Sequence, residues 1–253
     1  MNVVGLVWVG IRTEKFDETV DFFRSVLEIP VGLRRRHFVR FDLPDAAAVE
    51  VFDPAGEEYP HFTTGPVPGF QVTEFDSARV ELGRAGCELF LPEGGERGGY
   101  RWQHFRAPDG LVYEIVDYPD RPRPKAPVGA LGLTNLVWVG TSTPTFRTTA
   151  GFYRETLGLH VVEETADLIE FGLPDGGGVE AFRRGSPMDH PHFRTGPVPG
   201  FGVTDIDQAT RVLQERGISM LETRRREWGG WAHFRAPDGF IYEVKGRSAQ
   251  RAH

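Results

Sequence analysis

The chain has 253 residues, a formal net charge of −7, 40% apolar and 12% aromatic residues, and one cysteine. That length has room for two ordinary domains, and the apolar share is enough for filled cores, which excludes a disordered chain. The negative balance argues against general nucleic-acid binding. No apolar run approaches the ~18 residues of a membrane span. Cys87 stands alone, so an intramolecular disulfide is impossible and a reducing cytoplasm is the expected home. Lysine occurs only at 15, 125 and 245, none in an apparent core strand, so a Schiff-base lysine is not expected.

In chain order, Val3 to Gly10 reads as a strand with apolar residues on both faces. Phe16, Val20, Phe23 and Leu27 follow at helical spacing and predict an amphipathic helix. Three β-like runs come next, Val31 to Leu33, Arg36 to Leu43 and Ala47 to Phe52, and then the connection PHFTTGPVPGF at 60–70. A second round has the same order. Val67 to Thr73 is strand-like, and Asp76 or Ser77 can cap a helix carrying Ala78, Leu82 and Ala85, which Gly86 ends. Strands near Cys87–Leu91, Tyr100–Arg106 and Leu111–Val116 close the set.

The whole pattern then repeats. LVWVG at 6–10 returns at 136–140, PHFRTGPVPGF stands at 191–201, and HFRAPDG at 104–110 returns at 233–239. Nearly constant offsets mean two copies of one unit, 1–118 and 131–247, joined by a proline-rich linker over 119–130. Each half of each copy reads β-α-β-β-β. Three consecutive strands after one helix need hairpins, so the fold class is α+β with mixed sheets.

One feature points to chemistry. In HFRAPDGLVYE a Pro-Asp-Gly turn reverses the chain, and the returning strand carries Glu114 inside an apolar run. A carboxylate there is costly to desolvate unless a cation, donors or water meet it. HFRAPDGFIYE makes the same arrangement at Glu243.

Paired βαβββ modules, a helix ending in FYRETLGL (152–159) and a closing PDG-x-x-x-E hairpin resemble the vicinal oxygen chelate superfamily, the glyoxalase, bleomycin-resistance and extradiol-dioxygenase group. The resemblance implies a curved eight-stranded mixed sheet per domain around a cup for a small, aromatic or oxygen-rich molecule. In metal-dependent members ligands come from the first and last strands of each module, so the resemblance leaves two expectations, a divalent ion (Zn, Fe or Mn) or no cofactor. The last-strand places match Glu50 and Glu114, and Glu180 and Glu243 in the second copy; the first-strand places fall near Gly5 and Asn135, and near Val67 and Val198. His104 and His233 lie four residues before the turn proline and can complete the sets Glu50, His104, Glu114 and Glu180, His233, Glu243. Glu114 and Glu243 are the candidate proton-transfer groups. Trp8, Phe70, Trp102, Trp138, Phe201 and Trp231 are the candidate aromatic walls.

Two functions stay open at this point: metal-assisted lyase, isomerase or dioxygenase chemistry, or metal-free sequestration of a small molecule. The bland alternatives are structural. Glu114 can pair with Arg106, the two strand histidines can be hydrogen-bonded core residues, and His61 and His192 read as caps on backbone groups. A small-molecule ligand is the expected partner, with neither nucleic acid nor membrane, in a monomer or homodimer.

Overall fold

The computed structural model describes residues 1–118, 127–129 and 131–248. The linker expected at 119–130 lies almost wholly outside them. Four modules follow one another. Module one contains β1 (Val3–Arg12), α1 (Phe16–Asp21), β2 (Val31–Arg35), β3 (Phe38–Asp42) and β4 (Ala48–Phe52). Module two contains β5 (Val67–Val72), α2 (Phe75–Arg84), β6 (Glu88–Leu89), β7 (Gly95–Arg97), β8 (Tyr100–Arg106) and β9 (Val112–Asp117). Module three contains β10 (Leu133–Thr143), α3 (Phe146–Gly151), β11 (His160–Glu164), β12 (Leu168–Gly172) and β13 (Gly178–Arg183). Module four contains β14 (Val198–Val203), α4 (Ile206–Glu215), β15 (Ser219–Arg226), β16 (Gly229–Arg235) and β17 (Ile241–Gly246).

The helical spacing holds, since Phe16, Val20, Phe23 and Leu27 are all buried. Beyond Asp21 and Gly151 the first helix of each copy widens into a π-helical turn, Phe22–Val26 and Phe152–Thr156. Consecutive aromatics there, Phe22 with Phe23 and Phe152 with Tyr153, are buried together. Each such side chain contributes ~1.5–3 kcal/mol on leaving water. The cap expected from Asp76 or Ser77 does not form: α2 begins at Phe75, and the side chain of Glu74 at its cap position accepts no hydrogen bond. Asp205 does cap α4, accepting from the Asp207 and Gln208 N–H groups. The short strand β7, absent from the sequence reading, pairs with β8.

Two mixed sheets result. The eight-stranded sheet has the order β15-β16-β17-β14-β1-β4-β3-β2, and the nine-stranded one has β11-β12-β13-β10-β5-β9-β8-β6, with β7 beside β8. Modules one and four share the first sheet, and modules two and three share the second. Each sheet therefore draws on both sequence copies. The two modules of a sheet meet through antiparallel pairs, β1 with β14 and β10 with β5. The connections 53–66 and 184–197 cross between sheets and touch at Gly65 and Gly196, whose backbones form a two-way bridge.

One face of each sheet packs on the helices in a continuous core that includes Phe23, Phe41, Tyr113, Phe171 and Tyr242. The other face of each sheet carries its own smaller apolar cluster, one around Trp138 and Phe193, the other around Trp8 and Phe62. These faces are the cups. We call the one between modules two and three the inner cup, and the one between modules one and four the outer cup.

Candidate functional site

The Pro-Asp-Gly hairpin sets the register of the repeated glutamates. Asp109 accepts from the Leu111 N–H at 2.8 Å and from the Tyr113 hydroxyl at 2.9 Å, while Gly110 takes a φ of +86°. Strand alternation does the rest: Tyr113 and Ile115 enter the core, and Glu114 faces the cup. Asp238 repeats this in β17, accepting from the Phe240 N–H and the Tyr242 hydroxyl, so Glu243 faces its own cup.

Neighbouring strands add a row of side chains on the same face. In the inner cup the register runs His104 opposite Glu114, Glu114 beside Gly69, Gly69 opposite Trp138, and Gly140 beside Glu180. In the outer cup it runs His233, Glu243, Gly200 and Trp8, with Gly10 beside Glu50. The glycines make space for the indoles. A Cβ on Gly140 would lie 2.0 Å from Trp138 Cη2, and one on Gly69 would lie 2.8 Å from Glu114 Oε1 and 3.1 Å from Trp138 Cβ. Each tryptophan thus lies across a floor that only glycine leaves open.

The inner cup has about 480 Å³ of empty space, part of it open to solvent. Tyr100, Trp102, Tyr118, Phe182 and Phe193 wall it, Arg97 adds a guanidinium, and His104, Glu114, Trp138 and Glu180 line it from the strands. His104 Nε2 stands 2.9 Å from Glu114 Oε2, and both side chains are buried. Burial pushes the Glu114 carboxyl well above its usual range. Burial, followed by the charges of Glu170 and Glu114, pushes Glu180 up to about 8. Burial also lowers His104 to about 3 and, helped by the neighbouring imidazoles, lowers His190 to about 4 and His192 to about 3. At neutral pH this floor combines imidazoles in their basic form with a carboxylic acid able to donate. Such a set suits a ligand that carries oxygen atoms on a flat ring.

The outer cup is wider, with about 920 Å³ of empty space, and more polar. Arg35, Arg40, Arg226 and Lys245 line it with Glu50, Glu58 and Glu243. Burial raises the Glu50 pKa, and the Lys245 ammonium opposes it. His233 Nε2 lies 3.1 Å from Glu243 Oε2, and its Nδ1 lies 3.2 Å from His61 Nε2.

Several expectations need correction. The candidate sets are exchanged: Glu50 shares the outer cup with His233 and Glu243, and Glu180 shares the inner cup with His104 and Glu114. The module exchange between sheets is the cause. Phe70 and Phe201 lie on the core face, stacked on Tyr113 and Tyr242, because they neighbour the cup-facing Gly69 and Gly200 in strands of period two. Trp8, Trp102, Trp138 and Trp231 do face the cups. Glu114 pairs with His104, and Arg106 instead bonds Glu88 and the Gly110 carbonyl. Gly5 faces Asp175 and not a cup, so the first-strand places are held by Trp8 and Trp138. His61 and His192 meet His233 and His104 instead of capping backbone. Lys245 sits in β17 and lines the outer cup. His190 was missed because its counterpart in the first copy is Tyr59, so no repeat marked it.

The family model described as "Glyoxalase/Bleomycin resistance protein/Dioxygenase superfamily" matches residues 135–244. The internal repeat carries the same pattern back through the first copy. Residues 135–244, most of the second copy, thus carry the pattern of the glyoxalase/bleomycin resistance protein/dioxygenase superfamily. The chain's fold is similar to a putative dioxygenase from Bacillus subtilis, with a TM-score of 0.73 and 15% identity over 100% of this chain and 88% of that one. It is also similar to glyoxalase I from Zea mays, with a TM-score of 0.66 and 15% identity over 95% of this chain and 91% of that one. No curated protein sequence matches the chain. No helix among the described residues is long and apolar enough to cross a membrane.

Metal-dependent members of that superfamily would hold a divalent ion from the strands, and the strand residues here do not fit it. Of the four cup-facing strand places in the inner cup, Glu114 and Glu180 are carboxyls, whereas Trp138 and Gly69 offer no ligand atom of the required kind. Trp8 and Gly200 leave the outer cup in the same state.

Proposed function

We propose that this chain binds a small, flat, oxygen-bearing molecule in its inner cup. Trp102, Trp138, Phe182 and Phe193 grip its faces, and Glu114, Glu180 and His104 meet its oxygens. One observation carries the reading: aromatic walls and two buried glutamates face a single cavity. Burying two carboxyls without a ligand or counter-charge is costly, and a function for them offsets what folding alone would remove. Neutral imidazole beside a carboxylic acid can also move a proton between two ligand oxygens, so acid–base turnover belongs to the same site. No step is routed through an ion at the four strand places, whose residues do not supply the ligands.

Catechol is a suitable probe, followed by tryptophan fluorescence in a calibrated titration. Saturable quenching is expected, lost on Trp138→Ala and kept on Trp8→Ala. Chromatography of the recovered probe then separates the two branches: unchanged catechol marks sequestration, and a new product marks catalysis. Identical quenching by both variants would place the ligand elsewhere.

A further inference from the structure

We propose that the inner cup binds one Zn²⁺-class ion on His104, His190 and His192, away from the four strand places. One ring nitrogen from each of these residues lies within 4.8 Å of the other two. His104 comes from β8 of module two, and the other two come from the 184–197 connection after module three. The trio therefore exists only because the two modules share a sheet.

Two of the three rings are poorly satisfied without an ion. His104 is 1% exposed, and neither of its ring nitrogens has a hydrogen-bond partner; the buried Nε2 of His192 has none either. An unpaired buried polar group is costly, and a cation accepting its lone pair removes that cost. His104 Nε2 stands 2.9 Å from Glu114 Oε2, a contact out of line for a hydrogen bond that a turn of the ring onto an ion would align. Ligating imidazoles ordinarily give their second N–H to a carboxylate, which fixes the tautomer and leaves the other nitrogen free for the ion. Glu114 is thus a positioning residue for the ion, acting through His104.

Three imidazoles with a fourth position open match borderline ions such as Zn²⁺ or Co²⁺, and disfavour Mg²⁺ and Ca²⁺. Zn–N bonds of about 2.0–2.1 Å put tetrahedral ligand nitrogens ~3.4 Å apart. With all three nitrogens within 4.8 Å of one another, the trio need close by ~1.4 Å at most, which side-chain rotation supplies. The outer cup offers a different set, His61, Glu222 and His233, in which His61 Nε2 already lies 3.2 Å from His233 Nδ1 and Tyr59 stands where the inner cup has His190. The open fourth position would take a ligand oxygen, which deepens the small-molecule reading, but the geometry needs no organic ligand.

The test uses the full-length, metal-free protein titrated with Co²⁺ and then Zn²⁺, without any organic probe. One tetrahedral Co²⁺ at the trio, displaced by Zn²⁺, is expected. His190→Ala and His192→Ala should each weaken binding by roughly 100-fold, and Glu114→Gln by about 10- to 100-fold, the range typical of such carboxylate partners. His61→Ala should leave Co²⁺ binding at the trio unchanged, with any ion it removes belonging to His61, Glu222 and His233. If an alanine variant misfolds by circular dichroism, protection of His190 and His192 from acylation by Zn²⁺, read by mass spectrometry, decides the same point. Absence of Co²⁺ binding to the parent protein, or undiminished binding without His190 and His192, overturns the site. Co²⁺ bound at the trio with catechol still excluded would leave this site standing and remove the ligand reading instead.

Discussion

The two cups share one frame and differ in their charge. Each has the row histidine, glutamate, glycine, tryptophan, and a second glutamate beside a glycine. Across the strand pair from that second glutamate, the outer cup has Arg40 and the inner cup has Glu170. Lys245 in β17 of the outer cup corresponds to Val116 in β9 of the inner one. The frame fixes where a carboxyl points, and its neighbours decide whether that carboxyl is an acid or an anion. In the inner cup a neighbouring glutamate favours the protonated carboxyl, whereas in the outer cup a lysine and an arginine oppose it.

The largest expected effect comes from removing the acid that distinguishes them. Glu180 is raised in the folded chain, so the folded state holds a proton that the unfolded state has released. The unfolded chain binds fewer protons between the ordinary carboxyl range and about 8, so stability falls as pH rises through that window and levels off above it. Glu180→Gln should abolish most of this slope and stabilise the protein at pH 9 by of the order of 3 kcal/mol. Glu50→Gln should gain clearly less, because Lys245 and Arg40 already meet the charge. Urea unfolding from pH 5 to pH 9 measures both, and equal slopes in the two variants would erase the distinction between the cups.

A somewhat smaller effect should be common to both. Gly140→Ala and Gly10→Ala each drive a methyl into an indole ring, at 2.0 Å from Trp138 Cη2 and 1.9 Å from Trp8 Cη2. Each should cost about 2 kcal/mol, within the usual range for overpacking. Chemical denaturation compares them, and a cost in only one cup would mean the frames are not equivalent. The smallest effect should come from exchanging one charge. Glu170→Arg gives the inner cup the arginine of the outer one and should stabilise the chain at pH 8 by about 1 kcal/mol. Its signature is a downward shift of the pH at which the fall in stability levels off.

Much of the frame was legible in the sequence, because local rules govern it. Pro-Asp-Gly fixes a hairpin, and alternation after it sends Tyr113 inward and Glu114 to the cup. The spacing from Phe16 to Leu27 locates a helix from its buried face alone. Pairing across modules has no such local signal. A strand such as β5 finds β10 or a partner in its own copy with the same side chains, so Glu50 was grouped with Glu114 when it belongs with Glu243. Phe70 failed as a wall for a subtler reason, a one-residue offset from Gly69 in a strand buried on both faces. The glycines in VPGF and WVG were a usable sign of close approach, since a glycine inside a strand often marks one. His190 had no such sign.

The crossing of the two connections at Gly65 and Gly196 constrains how the chain can be divided. A fragment ending at residue 118 holds one half of each receptacle and completes neither. To bury those exposed sheet edges it must recruit a second identical fragment, which would supply the absent halves by symmetry. Covalent tandem linkage frees the halves from that identity, and it lets one receptacle gather histidines while its twin gathers arginines and a lysine.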